Sequence, residues 1–136
     1  MPKENQATIR VSSLVLLGVL LVLPLAAIWR LAAPSVAPWL TLWLLLASAI
    51  TGLLYVGDKR RAGQGGRRTP ESVLHLWSLL GGWPGAWLAQ QGLRHKTAKL
   101  RFLAVFWLII LLHQLIALDL QLHGRIFKLL RGLVLG

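Results

Sequence analysis

The sequence holds no cysteine and only four acidic residues in 136. The first absence excludes disulfides, thiolate nucleophiles, Cys-ligated zinc and iron–sulfur clusters. The second leaves fifteen Lys plus Arg against four Asp plus Glu, a net charge of +11. Such an excess points to phosphate-bearing partners, anionic lipid headgroups first and nucleic acid second. Charge as a whole is scarce: 14% of residues are charged, where a soluble domain has roughly a quarter. With 56% hydrophobic residues and a mean hydropathy of +0.64, the chain reads as one membrane domain, residues 1–136, too short to carry a separate soluble enzyme.

Charges divide the chain into uncharged runs, and a helix needs roughly 20 residues to span a hydrocarbon core about 30 Å thick. The expected fold is all-α, a small polytopic helical membrane protein with spans over about 11–29, 36–57 and 102–118. Pro24 is tolerable inside the first span as a kink. A removable signal peptide is the rival reading of that run, and its length opposes it. Pro34 and Pro38 separate the first two spans, with Trp29 and Trp39 bracketing the turn as an interfacial belt would. The fourth run, 72–93, contains Gly81-Gly82-Trp83-Pro84-Gly85. Three glycines and a proline in five residues interrupt a helix and free backbone groups that need partners. A broken re-entrant or interfacial helical segment over about 70–93 is therefore expected, with Thr69 as its N-cap, Pro70 at its first helical position and Trp83 and Trp87 as interfacial anchors.

Orientation follows from the basic residues. A re-entrant segment puts eleven of them, in the N-terminal tail and the loops around 58–71 and 94–101, on one side and four on the other. The positive-inside bias then predicts a cytoplasmic N-terminus in a multi-pass membrane protein. In the tail, about 120–135, Gln121, Arg125, Lys128 and Arg131 share one face of a helical wheel and Ile126, Phe127, Leu130, Leu133 and Val134 the other. That pattern predicts a basic amphipathic helix lying in an interface or packed on the bundle.

Two constellations carry the candidate chemistry. Lys59, Arg60, Arg67, Arg68, Arg94, Lys96 and Lys99 form a basic face suited to anions or lipid headgroups. Glu71 and His75, four apart, lie on one stripe, as do Gln91 and His95, so folding the two arms together would gather Glu71, His75, Gln91 and His95. The leading reading is a non-enzymatic membrane protein whose cytoplasmic face binds anionic headgroups or an acidic protein partner, with a homo-oligomer left open. The alternative is a small membrane enzyme acting on a phosphorylated or lipid substrate, with His95, His75 and Glu71 as acid–base groups. Nucleic acid, favoured by charge alone, is the weakest of the partners. His75 and His95 lack a third strong ligand, and no phosphate-loop or dinucleotide fingerprint occurs, so neither metal nor cofactor is expected. His113 and Gln114 read as helix-contact residues of the third span.

The segment Tyr55–Leu112 resembles the bacterial membrane family called domain of unknown function 1294. Its elements here are Asp58-Lys59-Arg60, Arg68-Thr69-Pro70-Glu71, Leu74-His75-Leu76, Gly81-Gly82-Trp83-Pro84-Gly85-Ala86, Gln90-Gln91, Arg94-His95-Lys96-Thr97 and Phe106-Trp107. The resemblance implies fold and membrane location, not an activity. Some members look like fusions with a cold-shock RNA-binding domain ahead of the first span. With ten residues ahead of that span here, no RNA-binding role is carried over.

Single cysteines introduced at Gln64 and Ala98 should both resist an impermeant thiol reagent on intact cells. Labelling at Ala98 alone would mean that the glycine-rich run crosses the bilayer.

Overall fold

The computed structural model describes residues 10–93 and 99–136 and contains no strand among them. Its helices are α1 (Val11–Leu31), α2 (Ala37–Gly63), α3 (Glu71–Trp77), α4 (Trp83–Gly92), α5 (Leu100–Gln121) and α6 (Arg125–Leu135), with a wide π-turn, Ser78–Gly82, between α3 and α4. The all-α expectation holds, and α1, α2 and α5 are long and apolar enough to cross a membrane. Each runs past its uncharged window. In α2 the helix continues through Asp58-Lys59-Arg60-Arg61, because long basic side chains carry their charge outward while the backbone stays helical.

A short turn joins α1 to α2, so the two run in opposite directions. Helix α5 runs with α1. Gln114 Nε2 donates to the Leu20 carbonyl at 2.6 Å, and Gln121 Nε2 to that of Leu23 at 3.3 Å. Lipid tails are as apolar as leucine, so such interhelical hydrogen bonds and close packing replace the hydrophobic effect as the reason for helices to associate. His113 bonds the Ile109 carbonyl through Nδ1 at 2.8 Å and lies beside the Trp83 ring. The starts of α1 and α5 and the end of α2 therefore share one end of the bundle. That end carries Arg10, Lys59, Arg60, Arg61, Arg67, Arg68, Lys99 and Arg101 among the described residues.

The broken segment is a hairpin. At its start the Thr69 N–H donates to Asp58 Oδ1 at 2.8 Å, and at its finish the Lys59 ammonium donates to the Leu93 carbonyl, so both ends stand at one end of α2. Between them Gly82 lies against Ala47 and Thr51. Those residues are roughly 12–18 Å along α2 from Lys59, about half the thickness of a bilayer core. Gly81 makes the reversal with φ +110°, which L side chains rarely adopt. Trp43 Nε1 donates to the Leu80 carbonyl at 2.9 Å, so a carbonyl at the break finds a partner inside the protein, and Ser78 Oγ bonds back to the Leu74 carbonyl in α3 at 2.9 Å. Beyond the break α4 packs so tightly on α2 that a Cβ on Gly85 would stand 1.8 Å from the Ser48 carbonyl oxygen.

Two expectations fail here. Trp83 and Trp87 are not interfacial anchors: they are 2% and 5% exposed and belong to the core with Tyr55, Leu74, Ala86, Phe102, Phe106 and Ile110. The reversal at Gly81 turns the 83, 86, 87 face of α4 inward. Thr69 is not the N-cap either; Pro70 holds that position with no side-chain cap, and Thr69 spends its backbone N–H on Asp58. By contrast Trp29 and Trp39 are well exposed, as belt residues are.

Helix α6 leaves the opposite end through a turn with positive φ at His123 and Gly124. Asp119 Oδ1 accepts the N–H groups of Ile126 at 2.8 Å and Phe127 at 3.2 Å, capping the new helix from the end of α5. No residue of α6 is buried, and Phe127, Leu130, Leu133 and Val134 are exposed. The apolar side of this helix is thus left uncovered among the described residues.

Gly85→Ala should destabilise the fold by about 1–3 kcal/mol, because the new methyl meets backbone rather than a movable side chain. Gly18→Ala, with nothing within 4 Å of its Cβ, should instead gain about 0.5–1 kcal/mol. Thermal unfolding in detergent measures both, and equal responses would disprove the close-packing account.

Candidate functional site

Three strands of connection close the mouth of the hairpin. The first is Asp58, 5% exposed near the end of α2 and receiving the Thr69 N–H. The second is Lys59 on the Leu93 carbonyl. The third is Glu71, whose Oε1 lies 2.8 Å from Lys99 Nζ and so joins α3 to the start of α5. Both partners are largely exposed, at 47% and 72%, so solvent screens this pair and its role is to fix position more than to add stability. The hydrogen bond from Lys99 holds the Glu71 carboxyl below its ordinary value, with the charges of Lys99, His75 and Arg101 acting in the same direction.

Behind this rim the surroundings become aromatic. The His75 ring lies 4.4 Å from that of Phe102, centroid to centroid, and Phe102 in turn meets the edge of Tyr55 at 6.3 Å. Gln90 Nε2 donates to Tyr55 Oη at 3.2 Å, tying α4 to α2. Burial pushes the His75 imidazole below its ordinary value, with the Glu71 charge opposing. Its Nδ1 is buried and finds no partner among the described residues, as do Thr69 Oγ1 and Trp87 Nε1.

The expected gathering of Glu71, His75, Gln91 and His95 forms in part. Glu71 and His75 share one face of α3, and Gln90 rather than Gln91 makes the bond to α2. His95 lies outside the described residues, as do Arg94 and Lys96 of the basic face. Of the other basic candidates, Lys59 and Lys99 each give a hydrogen bond to the hairpin, while Arg60, Arg67 and Arg68 stand exposed around its mouth. Sequence reasoning passed over Asp58 and Tyr55 as site residues. The signal for Asp58 was present: one carboxylate closes a long uncharged run, and a lone acid near a membrane needs donors.

Residues 48–102 match the sequence model of the family described as Protein of unknown function (DUF1294). The matched stretch holds the second half of α2, the whole hairpin and the start of α5, and over it the chain is similar to this family. No curated protein and no solved structure matches the chain.

The two shifted groups set a pH dependence. A carboxyl held low, as at Glu71, contributes stability above its ordinary value and loses it as pH falls through the folded value. An imidazole held low, as at His75, contributes fully above about its ordinary 6.5 and loses that contribution as pH falls below it. Both signs agree: acid loosens the hairpin mouth, His75 first. The unfolding midpoint in detergent should fall between pH 7.5 and pH 5, and His75→Phe should flatten that limb. An unchanged slope in the variant would remove His75 from the account.

Proposed function

We propose that this protein is a non-enzymatic integral protein of the bacterial inner membrane, N-terminus in the cytoplasm, whose basic end binds anionic phospholipid headgroups. The observation that carries this reading is the exposed cluster Arg60, Arg67 and Arg68 beside the hairpin mouth, at the bundle end that also holds Arg10, Arg61 and Arg101. Glu71, the acid of α3, is held by Lys99 and does not neutralise this cluster. The excess of positive charge at this end supports a cytoplasmic location for it, by the positive-inside bias. The acid–base alternative has less support: the Glu71 carboxylate is taken by Lys99, and the His75 ring is half-buried beside that of Phe102, tilted by 34°.

Each basic residue at an anionic surface contributes about 1 kcal/mol, weakened by salt, so three acting together contribute roughly 3 kcal/mol, or about two orders of magnitude in affinity. Replacing Arg60, Arg67 and Arg68 together by Gln should therefore strip co-purifying phosphatidylglycerol from the protein in native mass spectrometry. Insertion should survive, because Lys59 and Lys99 keep the hairpin tied. Undiminished lipid adducts would mean that these charges only orient the chain.

A further inference from the structure

Helices α2 and α4 pack backbone to backbone, and along their outer side this leaves a trough of about 420 Å³, within the range of roughly 300–1,000 Å³ typical of ligand pockets. Its floor is the close approach of Gly52 and Gly85, and Val56, Leu88, Ala89 and Leu93 form its sides. The lining is almost wholly apolar. The trough follows one face of α2 at helical spacing, Ser48, Gly52 and Val56, and the next position on that face is Arg60. Leu93, at the same end, offers its carbonyl to Lys59, whose ammonium has two further N–H donors. An apolar channel thus runs up to two cations at the level where headgroups lie.

Resting on the headgroup reading above, we infer that this trough holds one acyl chain of a bound anionic phospholipid, with the lipid phosphate at Lys59 and Arg60. Charge selects this occupant. A second copy of the chain inserted in the same orientation would bring two sets of Lys59, Arg60 and Arg61 together, and like charges at close range oppose that contact. A zwitterionic lipid offers the same phosphate but adds a quaternary ammonium, which the neighbouring cations repel. The channel adds what surface charge lacks, since each methylene taken from a poorly matched to a well-packed surface gains dispersion contacts.

The test uses the full chain in detergent with phosphatidylglycerol bearing a mid-chain diazirine, and the phosphatidylcholine counterpart in parallel. After illumination, labelled peptides are mapped by mass spectrometry. Label from phosphatidylglycerol should concentrate on residues 49–56 and 88–93 rather than spread over the lipid-facing sides of α1 and α5. Ala49, which lines the trough and is exposed, can be enlarged without disturbing the core. Ala49→Phe should lower that label several-fold, because the ring takes the space in which the chain makes its dispersion contacts. Preferential retention of phosphatidylglycerol with label spread evenly would overturn the channel and leave the headgroup reading intact. No preference between the two lipids would overturn both. Protein-to-protein dimers lost in Ala49→Phe would give the trough to a second copy and likewise overturn the proposal.

Discussion

The close approach of α4 to α2 at Gly85 and Ser48 is the contact on which the rest of this architecture depends. In lipid, no hydrophobic gain rewards two helices for meeting, and what remains is dispersion contact and hydrogen bonding at short range. Hydrogen in place of a side chain at Gly85 lets two backbones touch, and this seats the reversal at Gly81 against the middle of α2. Only from that position does the Trp43 indole reach the Leu80 carbonyl. Tyr55, Trp83 and Phe106, among the largest fully buried side chains, then pack around the returning arm.

Acidic residues are few, and those described serve as joints. Asp58 joins α2 to the start of the hairpin, Glu71 joins α3 to α5, and Asp119 joins α5 to α6. Each carboxylate accepts a bond from a neighbouring segment, and with four acids against fifteen bases the positive charge of the chain is left largely uncompensated. One scarce residue type thus shapes both the fold and the electrostatics of its surface.

The spanning helices were legible because charges punctuate apolar runs, and the hairpin because Gly81, Gly82, Pro84 and Gly85 cannot extend a straight helix. Helix ends were less legible. Reading a span as finished at the first charge ignores that Lys59, Arg60 and Arg61 are good helix formers, so α2 continues to Gly63. The burial of Asp58 and the inward turn of Trp83 and Trp87 depend on which segment comes back to meet them, and local pattern does not encode that. Thr69 shows the same competition: its residue type favours a cap, but the Asp58 carboxylate takes its backbone N–H instead. In the candidate site the basic rim was readable as composition, whereas the division between tethering lysines and outward arginines required contacts across 34 and 28 residues.

The order of these elements along the chain bears on how the protein is made. A hairpin with an interrupted backbone is a poor candidate for entering lipid alone, since carbonyls at its break need protein donors. Trp43 and Ser48, which receive it, lie on a helix that leaves the ribosome first. Phe102 and Phe106, which cover its inner side, follow only afterwards. Synthesis therefore lays down the receiving surface before the segment that needs it and the covering helix last, so the reversal at Gly81 never has to wait in lipid for its partner.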